Sequence, residues 1–483
     1  MRKCKACKGK LARPSSLKTI YKALLEKTVL YGAELMHNVD KKALNATGAL
    51  LKQAQRIITG TTKRTQSECL LFLSGDVDIH TKLDNAKLGF WARKSTQAGN
   101  VAGSVLNDIE YNKNRSKRGK GVGVVKQTNF LLKQLNIDKN LAAPHTFTHS
   151  PDYNRTIGID YSLTNKIDKK SSTDIFMKQE TLEHITTKYP NHLLIFTDGS
   201  KNPDNTNTEP VGIGIYSSKK HVKIQKSLRI SNDTAIATAE LKAIDVALKA
   251  INNRAKSNKD LANKSILICT DSLSAVQAIE SQKQNTSRPD LVQKISLRSF
   301  QIKNEHNLLL DLLWIPSHVG INGNEKADRL AKLALRKNSI DLNIGLGKTE
   351  LTNLIKKRQK LRANVVWQAS TSKSVKHMRE IVPSVFDNNI PLNRQYERRN
   401  RLLVNAPKFL SKGPVTCEFC RTDKNVQHVL LHCDLSIGYR EDLKRTFNKY
   451  NHAFNLNTLL APNPPSELKS PILNYINELV EDI

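Results

Sequence analysis

Apolar residues fall into distinct regimes along the chain. From Pro14 to about Trp91 they recur at helical spacing, first as Leu17, Ile20, Tyr21, Leu24 and Leu25, then as Leu44, Leu51, Ala54, Ile57 and Ile58. This spacing predicts a helical region with Ser15 or Ser16 as its N-cap. The stretch Tyr111–Gly123, YNKNRSKRGKGVG, loses all apolar periodicity while it accumulates cations. It reads as a mobile linker or a loop that contacts nucleic acid. From Val124 to Thr187 one short apolar run, Phe130–Leu135, is followed by polar residues and by Pro144 and Pro151. The pattern assigns no element there.

After Pro190 the period shortens. The runs LLIFTDGS, VGIGIYSS and HVKIQKSLRI predict three consecutive strands in an antiparallel meander. A helix is expected from about Thr234, with Ala235, Ile236, Ala239, Leu241, Ile244, Ala247 and Leu248 on its apolar face. Next come a strand (SILICTDS), one or two helices through Phe300, a strand (LLLDLLWIPS) and a last helix from about Asn324 to Arg336. This order predicts an α/β domain with a mixed sheet. Basic, helix-like segments such as KKRQKLRANVVWQ and NRQYERRNRLLV then lead to a cluster of cysteine and histidine, and a Pro-rich turn and short helix close the chain from Asn463.

Charge changes the picture. The chain has 77 Lys and Arg against 44 Asp and Glu, a formal net charge of +33 spread along its length. A polyanionic partner is expected, nucleic acid before membrane. Its 483 residues suggest about three folded units. No run of ~20 apolar residues suits a membrane span, and the first 30 residues lack the apolar core of a signal peptide. Seven cysteines in so long a chain make no disulfide framework. An intracellular protein, nuclear or cytoplasmic and not secreted, is expected.

Four acids stand out. Asp198 ends the first strand of the meander in Phe-Thr-Asp-Gly-Ser, and Asp271 ends a later strand in Cys-Thr-Asp-Ser. Both should point beyond the strand ends, where α/β sheets bind ligands. Glu240 interrupts the apolar stretch Ile236–Leu241, a poor fit for a dry helix face unless a cation meets it. Asp328 is expected to open the last helix, where the backbone N–H groups favour an anion. Any one such acid is commonly a cap or an ion-pair partner. Four together suit phosphodiester cleavage, which needs a water deprotonated near neutral pH and a stabilised leaving oxyanion, tasks served by two hard divalent ions ~4 Å apart.

The segments Thr197-Asp198-Gly199-Ser200, Ala239-Glu240-Leu241-Lys242-Ala243-Ile244, Thr270-Asp271-Ser272 and Trp314-Ile315-Pro316-Ser317-His318-Val319-Gly320 through Gly323-Asn324-Glu325-Lys326-Ala327-Asp328 closely resemble the type 1 ribonuclease H family. The resemblance covers residues 188–340 and implies a ribonuclease H-like fold, a five-stranded mixed sheet flanked by helices. It implies an endonuclease that hydrolyses the RNA strand of RNA–DNA hybrids with two Mg2+ or Mn2+ ions. Asp198 would bridge both ions, Glu240 and Asp271 would bind one, and Asp328 would complete the other. His318 matches the family's mobile histidine, which assists proton transfer or product release. Asn324 and Glu325 also match the segment before the last acid. A DDE transposase on a related sheet would need a late glutamate and would leave Glu240 unexplained. The rival of another class is a catalytically inactive, nucleic-acid-binding transposon remnant.

The flanks are expected to be mainly helical: residues 1–100, a poorly assigned linker 101–187, and a basic tail 341–483. Leu30-Tyr31-Gly32-Ala33-Glu34-Leu35 and Leu51-Lys52-Gln53-Ala54-Gln55-Arg56 resemble the region after the polymerase palm in reverse transcriptases of non-LTR retrotransposons of the jockey, I and R1 type. A reverse transcriptase moiety is therefore an expected partner, although no Asp-Asp dipeptide occurs in the chain and polymerase activity by this chain is not expected. In the tail, Cys417, Cys420, His428 and Cys433, within 417–433, suit one tetrahedral Zn2+, with His432 as a competing ligand. The same pattern resembles the Cys/His segment that follows ribonuclease H in those elements. Cys4 and Cys7 form a lone C-x2-C read as ordinary thiols, and Cys69 and Cys269 are expected in cores.

Overall fold

A computed structural model describes residues 13–35, 40–96, 124–143, 156–168, 171–202, 209–218, 222–257, 261, 263–281, 287–385, 397–404 and 416–479. The basic stretch Tyr111–Gly123, Cys4 and Cys7 lie outside these residues. The chain forms two compact units, one of Met1–Phe90, Asn112–Asn136 and Ile355–Ile483, the other of Trp91–Tyr111 and Ile137–Leu354.

The second unit is built on a mixed sheet. Its elements are β1 (Gly158–Asp160), α1 (Asp174–Lys188), β2 (His192–Lys201), β3 (Val211–Ser217), β4 (Ile224–Ile230), α2 (Ile236–Ser257), β5 (Ser265–Thr270), α3 (Leu273–Ser281), α4 (Pro289–His306), β6 (Leu309–Trp314) and α5 (Asn322–Leu335). Spatial order is β1-β6-β5-β2-β3-β4. The meander β2–β3–β4 is antiparallel, and β5 and β6 continue from β2 in parallel. Strand β5 shows why the parallel half forms: Ile266, Leu267, Ile268 and Cys269 are all fully buried, as expected for a strand covered on both faces.

The sheet has six strands, one more than expected. The extra strand is β1, which pairs in parallel with β6 at the edge, Gly158 opposite Asp311 and Asp160 opposite Leu313. Three residues are too few to show an alternating pattern, which is why a stretch read as linker hides a strand and the 15-residue helix α1.

A polar hub fastens this edge. Asp160 is buried and accepts hydrogen bonds from the Ser162 backbone N–H (2.9 Å) and hydroxyl (2.7 Å), from Lys188 Nζ (2.9 Å) and from the Tyr189 hydroxyl (2.9 Å), with His184 Nε2 at 2.8 Å. Burial disfavours its charged form, but the bonds from Lys188, Ser162 and His184 overcome that and hold the carboxyl well below the usual range. Strand β3 carries glycines where α5 comes closest. A Cβ on Gly214 would lie 1.9 Å from the Ala327 carbonyl oxygen, and one on Gly212 2.4 Å from that of Ala331.

The first unit is helical among its described residues. Leu17, Tyr21, Leu51, Ala54 and Ile58 form one small core with Ile79. Ile20 and Leu24, expected on the same face, are exposed. The first helix starts at Pro14 without a side-chain cap, so neither Ser15 nor Ser16 caps it: proline, with no N–H to lose, occupies the first helical position. A larger core joins Cys69, Phe72 and Leu73 to Trp367, Met378, Leu430, Phe447 and Tyr475, with the Phe72 and Trp367 rings stacked at 4.6 Å.

Asp160→Asn should destabilise the second unit by about 2 kcal/mol at pH 7, the order of one charged hydrogen-bond acceptor lost. Because the folded carboxyl titrates below its unfolded value of about 3.9, its stabilisation is present above that pH and lost as the pH falls below it. Urea unfolding of parent and variant at pH 7 and pH 3 would read this, and an equal gap at both pH values would contradict it.

Candidate active site and Cys/His cluster

Strand register brings the first two acids together. β2 and β5 pair in parallel up to Thr197 opposite Thr270, so Asp198 and Asp271 lie one residue past the last shared rung. β2 nevertheless continues to Lys201, because its other edge still pairs with β3, Asp198 opposite Gly214. Asp198 therefore does not end its strand, as its Gly-Ser sequel suggested. It sits where the parallel ladder stops and the antiparallel one continues. Glu240 reaches the same point from the first turns of α2, and ligand atoms of Asp198, Glu240 and Asp271 lie within 4.8 Å of one another.

Glycine makes this approach possible. The Gly199 N–H donates to Asp198 Oδ1 (2.8 Å) and to Glu240 Oε1 (2.9 Å), and a Cβ on Gly199 would press to 3.0 Å on Glu240 Oε1. The second oxygen of Glu240 is buried without a hydrogen-bond partner, a costly state for a carboxylate oxygen in the absence of a cation. Burial first, then the charges of Asp271 and Asp328, pushes the Asp198 carboxyl up to about 8. Burial and the charges of Asp198 and Asp271 raise Glu240 well above the carboxylate range. An orphaned oxygen and mutually repelling acids are what a hard divalent cation would neutralise.

Asp328, His318 and Lys332 line the same open cleft as these acids, with Ser272 and Ser274. Asp328 lies in the second turn of α5, which starts at Asn322, and not at the helix opening. In the first turn Gly323 packs directly on the Phe196 ring, where a Cβ would lie 2.1 Å from a ring carbon. The acid of the first turn is Glu325. Its Oε1 accepts from the Gly320 N–H at 3.3 Å, and with His318 and Asp328 it offers ligand atoms within 4.8 Å of one another. His318 is exposed at a left-handed φ of 58° on the loop before α5, a conformation uncommon outside glycine. Asn324 is buried and points Nδ2 at Asp271 Oδ2, 3.4 Å away. Lys332 pairs with Asp328 at 2.8 Å. Sequence reading overlooked that pair, though its i,i+4 spacing was visible.

Residues 190–336 match the ribonuclease H family model. This part of the chain, 147 of 483 residues, resembles that family. Solved structures similar to it include ribonuclease H1 from the halophilic archaeon Halobacterium salinarum NRC-1, 22% identical over 30% of this chain and 97% of that one, with a TM-score of 0.23. A foamy viral protease-reverse transcriptase in complex with dsDNA is 20% identical over 30% of this chain and 95% of that one, TM-score 0.24. LC11-RNase H1, isolated from compost by a metagenomic approach, is 23% identical over 30% of this chain and 96% of that one, TM-score 0.23. No curated protein matches the chain. Among the described residues no helix is long and apolar enough to cross a membrane.

In the first unit Cys417, Cys420, His428 and Cys433 offer ligand atoms within 4.8 Å of one another. The Cys433 sulfur lies 3.8 Å from that of Cys417 and 4.0 Å from that of Cys420. His428 sets Nδ1 against the Thr422 hydroxyl at 3.2 Å, and its Nε2 is buried without a partner. The backbone N–H of Cys420 leads the contacts that draw the Cys417 thiol down to about 6, toward the thiolate that a soft metal needs. His432, the competing ligand, is exposed and outside the group. Cys69 and Cys269 are buried.

The crowded acids should cost the second unit stability in EDTA. Because the folded Asp198 carboxyl titrates above its unfolded value, metal-free stability should fall as the pH rises from 4 through about 8. Asp198→Asn should lessen that fall, with Glu240 keeping part of it, and leave the variant on the order of 2–4 kcal/mol more stable than the parent at pH 8 and little different at pH 4. Chemical denaturation with chelator reads both. A variant less stable than the parent at pH 8 would refute the repulsion argument.

Proposed function

We propose that residues 188–340 hydrolyse the RNA strand of RNA–DNA hybrids, with Asp198, Glu240, Asp271 and Asp328 holding two divalent ions, Mg2+ or Mn2+. The observation that carries this reading is the convergence of three acids within 4.8 Å around a partnerless, buried Glu240 oxygen, inside a segment that matches the ribonuclease H family. When bound, such ions acidify a water and stabilise the leaving oxyanion. The residues supply the rest. The Gly199 N–H holds one Glu240 oxygen and leaves the other for a cation. Asn324 steadies Asp271, and exposed His318 is free to exchange protons with solvent and product. An A-like hybrid presents a wide minor groove with 2′-hydroxyls on one strand only, a basis for choosing RNA. The +33 net charge favours association with any such polyanion. Resemblance of the helical flanks supports an origin in a non-LTR retrotransposon, with a reverse transcriptase moiety as partner.

A second proposal concerns the Cys/His cluster, which we infer holds one structural Zn2+. Sulfur–sulfur separations of 3.8 and 4.0 Å fit a tetrahedron with Zn–S near 2.3 Å, and the unpaired His428 Nε2 supplies the fourth donor.

Two outcomes are expected. With either strand of a hybrid end-labelled and Mg2+ present, the RNA strand should be cut and EDTA should stop it. Asp198→Asn and Asp271→Asn should each reduce cleavage by at least about 100-fold, His318→Ala by less. Intact hybrid under all conditions would favour the inactive remnant, and cleavage of the DNA strand would sink the assignment. Elemental analysis of the full chain should find one zinc, absent from Cys417→Ser/Cys420→Ser. Zinc retained in that variant would reject the site.

A further inference from the structure

Two cations line the carboxylate cleft, Lys201 and Lys332. Lys201 is engaged with Glu209 at 2.6 Å. Lys332 instead places its ammonium 2.8 Å from Asp328 Oδ2, an oxygen of one of the four acids, while 59% of its side chain stays exposed. Asp198 and Glu325 also lie within its electrostatic reach. An ammonium is a compact, strongly hydrated charge on a flexible stem, so this contact is readily exchanged. The lone pairs it uses are those that a divalent ion at Asp328 would need, and an ion there would meet its positive charge at close range.

We propose that Lys332 sets the divalent-metal affinity of the Asp328 end of the cleft by competing for the Asp328 carboxylate, and that its ammonium passes to a substrate phosphate when an ion takes that oxygen. This rests on the reading of Asp328 as a metal ligand. It makes Lys332 a positioning residue that acts through Asp328. It also links metal to substrate: a phosphate that occupies the lysine removes a competitor of the ion, and by reciprocity the ion frees the lysine for the phosphate. The cleft would then hold the ion more tightly when a polyanion is present.

The test is Mn2+ binding to the full chain, followed by electron paramagnetic resonance without any turnover. Lys332→Met, at an exposed helical position, should bind one ion about two- to five-fold more tightly than the parent, the range of an exposed ion pair. Lys332→Arg should behave as the parent does. Asp328→Asn should weaken binding and erase the effect of Lys332→Met in the double variant. Adding an uncleavable duplex of 2′-O-methyl RNA and DNA should tighten Mn2+ binding in the parent, and tighten it less in Lys332→Met. If Asp328→Asn weakens Mn2+ binding but Lys332→Met does not strengthen it, the competition is refuted while Asp328 remains a ligand. If Asp328→Asn changes nothing, Asp328 is not a ligand and the inference falls with that reading. An equal gain from the duplex in parent and Lys332→Met would refute the transfer to phosphate.

Discussion

Repulsion between carboxylates held a few ångströms apart is the constraint around which the second unit is built. Left to itself, a chain would relieve that repulsion by moving the acids apart or keeping them protonated. Here the first route is closed to small motions, and protons take the second. Asp198 and Asp271 extend from strands locked in register by a full parallel ladder. Glu240 is fixed from a helix that is buried around much of its circumference. The sheet and its core supply the stiffness, and the acids store the strain as raised proton affinity at Asp198 and Glu240. Such a cluster is suited to a cation because, held at these distances, it must be discharged either by protons or by a metal.

The same logic explains the small residues around the site. Asp328 can join the other acids only if α5 lies close against β3. Gly212 and Gly214 on the strand and Ala327, Ala331 and Ala334 on the helix allow that approach, since a Cβ at either glycine would collide with helix backbone. Gly199 performs the corresponding service for Glu240, and its N–H then holds the carboxylate in place. Small residues at these positions set the distance between acids, which larger apolar residues would lengthen while packing equally well.

Much of this was legible in the sequence. Runs of β-branched and aliphatic residues marked five strands, and the apolar face starting near Ala235 marked α2. Chemistry was legible because acids stood out against apolar surroundings, as Glu240 does. What escaped lacked a repeating signal. Strand β1 is three residues long, and Asp160 looks ordinary until His184, Lys188 and Tyr189, more than 20 residues away, converge on it. Asp328 was expected to open α5, whereas it lies in the second turn of a helix that starts at Asn322. Ile20 and Leu24 show the opposite error, apolar residues at helical spacing that stay exposed among the described residues.

The two metal-suited clusters differ in what organises them. The carboxylates hang from a sheet whose core, from Ile195 to Ile315, is complete without them, so the fold can exist while the site is discharged by protons. The Cys/His segment spans 17 residues and contributes Val426, Val429 and Leu430 to a shared core, with Leu431 partly buried against it. It is tied down by polar contacts, with the Tyr475 hydroxyl donating to the Leu430 carbonyl and Arg440 to that of Cys433. These anchors hold the end of the segment near His428 and Cys433. The turn that carries Cys417 and Cys420 has an exposed Phe419 and a left-handed Arg421, and is bound to the rest through sulfur and short-range backbone contacts. A metal there would do for the fold what the sheet does for the acids: it would fix the distance between groups that packing alone leaves loosely determined.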